Sequence, residues 1–166
     1  GYAGERVTAW LHPELDPGDT GYQILQSLYA IGSGGLFGLG YGKSRQKYLY
    51  LPFQYNDYIF AVICEELGLV GAMAIVALFA VTILRGYWIA LNARDRFSTV
   101  LAAGLVTLIA VQTILNLCVV TNLLPSTGIA LPFFSYGGTA LAVNLGEMGI
   151  VLGISRGRNR RKIQEA

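Results

Sequence analysis

One carboxylate stands where a polar segment of the chain meets an apolar one. Asp57 follows a glycine-rich, polar stretch and is followed at once by the apolar run that begins at Tyr58. An acid at such a junction lies at the edge of a membrane, where it is partly desolvated and still reaches water and a lipid headgroup. We therefore identify Asp57 as the candidate catalytic residue. The alternative is that Asp57, or Asn56 before it, only caps the helix that begins near Tyr58.

A two-carboxylate hydrolase does not fit the spacing of the nearby acids. Glu65 follows Asp57 by eight residues, and in a helix this is a rise of about 12 Å. Two-carboxylate hydrolysis uses separations of roughly 5–9.5 Å. The chemistry predicted here uses one carboxylate, which suits transfer to a sugar hydroxyl better than hydrolysis. Glu65 and Glu66 are expected to have structural roles.

Basic residues at alternate positions precede this junction. Lys43, Arg45 and Lys47 would share one side of an extended segment, and basic groups on a glycine-rich backbone bind phosphate or pyrophosphate well. The alternative is an edge that faces solvent or lipid headgroups. The segment also contains the Gly-Lys-Ser of a P-loop, but Phe37 stands where that motif needs its first glycine, and no strand precedes it. A nucleotide site is therefore rejected.

The composition is that of a membrane protein. Of the 166 residues, 54% are hydrophobic and 13% are charged, and the mean hydropathy is +0.50; soluble domains contain about 25% charged residues. Residues 67–84 and 97–124 lack charges, and residues 126–155 contain one, Glu147. Because only helices satisfy their own backbone in lipid, we predict an all-α polytopic membrane protein with spans at about 58–84, 97–122 and 138–155.

The chain divides at the same junction. We predict that residues 1–57 form a large loop outside the bilayer and that residues 58–166 form a transmembrane portion with a basic tail. The positive-inside rule assigns both basic flanks to the cytoplasm: Arg85, Arg94 and Arg96 between the first two spans, and Arg156, Arg158, Arg160, Arg161 and Lys162 after the third. The C-terminus is then cytoplasmic, and we interpret the chain as the C-terminal portion of a larger membrane protein.

The predicted loop contains a short amphipathic helix. Thr20 and Gln23 fit a capping box, and about three turns of helix follow. The apolar residues recur at helical spacing, and the polar residues lie opposite them: Tyr22, Leu25, Leu28, Tyr29 and Ile31 on one face, and Gln23, Gln26 and Ser27 on the other. Such a helix is too short to span the bilayer, so we expect it to lie along the membrane interface.

The connection between the last two spans, residues 122–139, is apolar and rich in turn residues. Irregular backbone at this depth is tolerated only against protein or a watery cavity, which predicts a re-entrant loop that lines a cavity. The candidate substrate-binding residues in it are Ser126, Thr127, Ser135, Tyr136 and Gly137. Glu147 lies near the middle of the last span, where a carboxylate is costly; it is either protonated or bonded to Asn144, Asn116 or Gln112.

Several motifs together resemble the SEDS family (shape, elongation, division and sporulation proteins), and most of all its FtsW-like division and sporulation branch. The resemblance covers nearly the whole chain. Its strongest motifs are Gly21-Tyr22-Gln23, Asn56-Asp57-Tyr58-Ile59-Phe60-Ala61, Glu65-Glu66-Leu67-Gly68 and Leu131-Pro132-Phe133-Phe134-Ser135-Tyr136-Gly137-Gly138. Two departures stand out. Phe53 and Tyr55 replace a usual glutamate and a frequent histidine or glutamine, and Ser126-Thr127-Gly128 lacks the lysine of the frequent proline-threonine-lysine-glycine form.

The resemblance implies a bacterial plasma-membrane enzyme that polymerises peptidoglycan glycan strands from lipid II by inverting glycosyl transfer at the outer face, with Asp57 as the essential aspartate. The fragment alone is expected to be inactive. The implied partners are lipid II, polyprenyl pyrophosphate, a class B penicillin-binding protein (a transpeptidase) and membrane lipids, and no nucleic acid. No cofactor is certain; a divalent metal, Mg²⁺ or Mn²⁺, is compatible, although the sequence has no dedicated ligand set. The alternatives are a flippase for lipid-linked precursors and a non-catalytic scaffold for a transpeptidase.

Overall fold

The computed structural model describes residues 2–13, 20–40, 42, 58–135 and 137–164. Within these residues the fold is all-α, as predicted. Five helices follow one another along the chain: α1 (Tyr2–Leu11), α2 (Thr20–Ser33), α3 (Ile59–Leu91), α4 (Arg96–Val120) and α5 (Gly138–Gln164).

Three of these helices are long and apolar enough to cross a bilayer: α3, α4 and residues Gly138–Gly157 of α5. The helix α3 continues seven residues past the end of the predicted span 58–84. The prediction ended at Arg85 because a charge marks the edge of hydrocarbon, but arginine is a good helix former and does not end the helix itself. The guanidinium of Arg85 lies over the ring of Trp88, 5.0 Å from the centroid. Ala90, further along the helix, is fully buried.

A short turn makes α3 and α4 antiparallel neighbours, and their contact is the largest between helices of the described chain. Asp95 is the N-cap of α4 and accepts hydrogen bonds from the amide of Ser98 at 3.0 Å and from its hydroxyl at 2.8 Å. Both bonds lower the pKa of the exposed Asp95 carboxyl, and the bond from the Ser98 amide has the larger effect. This cap fixes where α4 begins after the turn.

The helix α3 is interrupted near its start. Gly68 has φ 67° and ψ −168°, which separates a short first segment from the rest of the helix. The seven residues 34–40, here called the glycine turn, pack against this break. Four backbone hydrogen bonds join the two: Leu39 N to Glu65 O at 2.9 Å, Gly40 N to Glu66 O at 3.1 Å, Leu69 N to Gly35 O at 2.9 Å and Val70 N to Leu36 O at 3.2 Å.

The packing of α2 differs from the predicted amphipathic pattern. Its buried face is formed by small and polar residues together with one aliphatic residue: Gly21, Ile24, Ser27 and Ala30. The hydroxyl of Ser27 donates to the carbonyl of Ile24 at 2.8 Å, with the Val120 carbonyl at 3.4 Å. Small residues let helices approach closely, so α2 contacts the bundle through this face, which shares only Ser27 with the predicted polar face. The predicted apolar face is half-buried, and Tyr29 is exposed.

Two separate clusters of buried side chains hold the helices together. The first joins α2, the start of α3 and the end of α4 through Ala30, Tyr58, Cys64, Val120 and Leu131, among others. The second lies at the opposite end of α3 and joins it to α4 and α5: Ala90, Ala102, Val106 and Val151. The candidate site is therefore built at the end where the first cluster, α2 and the 122–139 connection meet.

Candidate functional site

Several predicted site residues lie outside the described residues, so their positions stay predictions: Asp57, Lys43, Arg45, Lys47 and Tyr136. The start of α3 bears on the role of Asp57. Tyr58 occupies the N-cap position, is 2% exposed and makes no side-chain capping hydrogen bond. The alternative role for Asn56 or Asp57 was to cap this helix, but Tyr58 occupies the N-cap position.

A helix that the sequence did not predict contacts the 122–139 connection. From α1, the guanidinium of Arg6 donates to the carbonyl of Ser126 and the indole of Trp10 donates to the carbonyl of Asn122, both at 3.0 Å. The connection lacks the family's frequent lysine at this place, and Arg6 brings a cation to it from 120 positions away in the chain.

The inner side of the connection is anchored in the bundle. Asn116 of α4 is completely buried, and its side-chain amide donates to the carbonyl of Ile129 at 2.8 Å. Leu131 and Pro132 are also buried. Phe133 adopts φ 66°, which is uncommon for a residue with a side chain, and the ring of Phe134 packs on Phe79 with centroids 5.9 Å apart. The connection is therefore a folded, packed segment with irregular backbone, as a re-entrant loop requires.

A cavity of about 520 Å³ lies between this connection, α4 and α5. Its walls are mainly apolar, formed by Ile129, Ala130, Leu131, Phe133, Ala140, Leu141 and Val143. Four polar side chains interrupt them, namely Gln112, Ser135, Thr139 and Asn144. Mainly apolar walls with a few placed polar groups are typical of ligand sites. Such a cavity can receive a molecule that has both an apolar and a polar part.

Of the four substrate-binding residues predicted in the connection that the structure describes, one lines the cavity. Ser135 lines it, whereas Ser126, Thr127 and Gly137 are not among its walls. Ser126 is held through its carbonyl by Arg6, Thr127 is exposed, and the carbonyl of Gly137 accepts the first bond of α5 from Leu141 at 2.8 Å. Their roles in binding substrate stay predictions.

Polar side chains are also buried between the spans. Asn144 and Glu147 are three residues apart and share one face of α5, and both are nearly buried, as are Thr113 and Asn116 of α4. The Oε2 atom of Glu147 makes no hydrogen bond within the described part of the chain. Asn144 reaches the cavity and Glu147 is not among its walls, which separates Glu147 from the candidate site.

Glu65 and Glu66 lie in α3 just before its break at Gly68. They are 1% and 8% exposed, and their carbonyls accept the hydrogen bonds from the glycine turn. These bonds use main-chain carbonyls, so the structural role predicted for the two carboxylates stays a prediction. Gly34 passes so close to α3 that a Cβ there would overlap the Cys64 carbonyl. This close approach fixes the glycine turn against the start of α3.

The described residues contain no group of three or more His, Cys, Asp or Glu side chains that could hold a metal ion. The divalent metal considered above therefore stays a prediction, and no step is assigned to it. Cys64 is buried and Cys118 half-buried, both as free thiols within helices.

Sequence reasoning missed the two contacts made by α1 and the role of Gln112 and Asn144 as cavity walls. Arg6 and Trp10 gave no signal because their acceptors are backbone atoms 120 and 112 positions away. Gln112 and Asn144 were considered only as partners of Glu147. Their position as single polar residues in the spans was the available signal.

Comparison with known proteins agrees with this architecture. The chain matches the FtsW/RodA/SpoVE family, described as "Cell cycle protein", over residues 1–160. It is 50% identical over 155 residues to stage V sporulation protein E of Bacillus subtilis, covering 93% of this chain and 42% of that protein. It is 48% identical over 154 residues to the probable peptidoglycan glycosyltransferase FtsW of Geobacter metallireducens, covering 93% and 41%. The chain thus spans less than half the length of these relatives.

Solved structures show the same fold. One is a chain of a peptidoglycan synthase complex that coordinates polymerization and crosslinking; it superposes with a TM-score of 0.76 at 30% identity, covering 95% of this chain and 42% of that one. The other is an aspartate-to-alanine mutant of the rod shape determining protein RodA of Thermus thermophilus. Its TM-score is 0.60 at 33% identity, covering 80% and 40%.

Proposed function

This chain belongs to the FtsW/RodA/SpoVE family of cell cycle proteins and is part of a multi-pass membrane protein, and we propose that the complete protein polymerises peptidoglycan glycan strands from lipid II. The reaction is an inverting glycosyl transfer at the outer face of the bacterial plasma membrane, in cell division or sporulation. The C-terminus lies in the cytoplasm in this proposal, as the two basic flanks favour.

The observation that carries the proposal is the cavity beside the 122–139 connection. It lies at the end of α4 and the start of α5, with mainly apolar walls and the polar side chains of Gln112, Ser135 and Asn144. A lipid-linked sugar has the matching composition, with an isoprenoid chain on one side and phosphates and sugars on the other. Two relatives and one similar structure, named for peptidoglycan synthesis, support the same substrate class.

In the proposed mechanism, Asp57 accepts the proton of the acceptor sugar's 4-hydroxyl as that oxygen attacks the anomeric carbon of the lipid-linked donor. The bond between that carbon and the pyrophosphate breaks, and polyprenyl pyrophosphate leaves with the bonding electrons. Lys43, Arg45 and Lys47 meet the charge that develops on it. General-base catalysis of this kind contributes about 10²–10⁴ in rate, and positioning and charge stabilisation supply the rest.

The proposal also includes a partner. One similar structure is a complex in which polymerization and crosslinking are coordinated. A class B penicillin-binding protein, which crosslinks the new strands, is therefore the expected partner of the complete protein in the membrane. Co-purification of the two proteins from detergent extracts tests this part separately.

The decisive experiment measures glycan polymer formed from purified lipid II by the complete protein and three variants. We expect Asp57→Asn to abolish polymer formation while insertion in the membrane is retained. Asp95→Asn, the same change in the exposed turn before α4, is the matched control and is expected to keep activity. Glycan synthesis undiminished in Asp57→Asn would remove Asp57 from the mechanism.

The third variant, Glu147→Gln, separates the alternative functions. A flippase needs a polar path through the bilayer, and the candidates for it in the described spans are the buried Asn116, Asn144 and Glu147 together with the half-buried Gln112. For a flippase, Glu147→Gln impairs function more than Asp57→Asn does. A non-catalytic scaffold tolerates both changes and fails only in co-purification with the transpeptidase.

A further inference from the structure

The break in α3 lies at the start of its charge-free run. Gly68 is the second residue of the charge-free run 67–84 and leaves the helical conformation with φ 67°. In hydrocarbon, an interrupted helix is tolerated only when other protein groups satisfy the freed amides and carbonyls. The protein groups that bond the freed backbone must therefore lie at the same depth in the bilayer as the break.

The glycine turn supplies those partners. The amides of Leu69 and Val70, just past the break, donate to the carbonyls of Gly35 and Leu36. Because the hydrogen bonds are 2.9 and 3.2 Å long, the turn lies at the same depth as Leu69 and Val70, beside α3. It does not project from the end of that helix.

The outward side of the turn is apolar. Residues 34–40 contain no polar side chain, although turns that face water are usually polar. The exposed fractions of Leu36 and Phe37 are 62% and 82%. Their exposed neighbours across the break continue the same surface along α3: Leu67, Leu69, Val70 and Met73.

We propose that the glycine turn is inserted into the bilayer and that Leu36 and Phe37 contact lipid acyl chains in the leaflet on the side of α2. Acyl chains are the expected occupant because the apolar surface is continuous with that of a membrane-spanning helix and carries no charge. This inference does not depend on the proposed enzymatic activity.

Depth-dependent fluorescence quenching tests the inference. The complete protein, with Cys64→Ala and Cys118→Ala, receives Phe37→Cys, is labelled with an environment-sensitive dye and is reconstituted in phosphatidylglycerol vesicles. Leu78→Cys, on the exposed face in the middle of α3, is the control for acyl chains. Asn92→Cys, in the exposed turn between α3 and α4, is the control for water. Iodide quenches dyes in water, and doxyl-labelled lipids quench dyes among the acyl chains.

At position 37 we expect blue-shifted emission, loss of iodide quenching relative to position 92, and quenching by doxyl lipid comparable to that at position 78. Quenching by iodide as strong as at position 92 would overturn the inference, because the turn would then face water. Protection from both quenchers would also overturn it, because another protein segment would then cover the turn. Since Phe37 is 82% exposed, its replacement leaves the packing intact, and Leu36→Cys repeats the measurement at a second position.

Discussion

The amide of Leu69 donates a 2.9 Å hydrogen bond to the carbonyl of Gly35, one residue past the point where α3 leaves the helical conformation. This bond joins two segments that are distant in the chain, so the start of α3 and the end of α2 form one packed unit. In the sequence, Lys43, Arg45, Lys47 and Asp57 lie between these two segments.

Gly68→Ala should destabilise the protein. A Cβ at Gly68 would lie 2.6 Å from the carbonyl oxygen of Leu36, and the positive φ costs a residue with a side chain about 1–2 kcal/mol. The atoms that it meets are backbone and cannot move aside cheaply. The measurement is the thermal unfolding midpoint of the complete protein in detergent micelles.

Gly104→Ala in α4 is the matched control for this prediction. Nothing lies within 4 Å of a Cβ at Gly104, and alanine in a helix interior is more stable than glycine by roughly 0.5–1 kcal/mol. We expect the midpoint of this variant to be equal or higher. Equal midpoints for the Gly68 and Gly104 variants would contradict the backbone contact described at the break.

Trp10→Phe should loosen the 122–139 connection. The change removes the indole N–H that binds the carbonyl of Asn122 and keeps an aromatic ring, so the expected loss is about 0.5–1.5 kcal/mol. Hydrogen exchange measured by mass spectrometry should become faster in residues 121–135. Trp88→Phe, at the far end of α3, is the control and should leave exchange there unchanged; faster exchange in both variants would argue against the contact.

Ala140→Trp should obstruct the cavity. Ala140 lines it and is itself exposed, so an indole enters the space without displacing the core. If the cavity receives lipid II, polymer formation should fall on the order of 10²-fold through misplaced substrate, with the unfolding midpoint retained. The matched control is Ala80→Trp on the exposed side of α3, which should stay active. Full activity of both variants would exclude the cavity as the substrate site.

The start of α4 should respond to acid through Asp95. Because the Ser98 amide and hydroxyl bind its carboxylate, the folded-state pKa is lowered from the usual 3.8. A lowered pKa means that the stabilisation is complete above the unfolded pKa, about 3.9, and is lost as the pH falls through the folded value. Asp95→Ala should therefore lower the unfolding midpoint at pH 7 and have a smaller effect near the folded pKa. A difference that is independent of pH would refute the charged cap.

Much of the architecture could be predicted from the sequence because a segment that crosses the hydrocarbon of a bilayer must be an apolar helix. The runs with no charge or one charge predicted three membrane-spanning helices, and α3, α4 and α5 are long and apolar enough to cross a bilayer. This requirement says nothing about where a helix bends. Gly68 lies in an apolar run and looks like part of a continuous helix, and only its contact with the glycine turn shows why the chain breaks there.

The candidate site was harder to predict because its contacts are made through backbone atoms. Ser135 was predicted because hydroxyls stand out in an apolar connection; it lines the cavity, and its role in binding substrate stays a prediction. The hydrogen bonds of Arg6 and Trp10 go to carbonyls, which every residue has, so no side-chain pattern marks the acceptors. The face of α2 that packs on the bundle was not predicted, for a related reason: Ser27 reads as polar, yet its hydroxyl donates to the Ile24 carbonyl and lies 3.4 Å from the Val120 carbonyl.

The attachment of α1 through main-chain oxygens has a consequence for how substitutions are tolerated. Position 126 can accept many side chains without detaching Arg6, because the acceptor is present in all of them. Position 122 is more restricted, since its φ of 58° favours asparagine, aspartate or glycine. Related sequences can therefore vary at one end of this attachment, while backbone geometry limits the choice at the other.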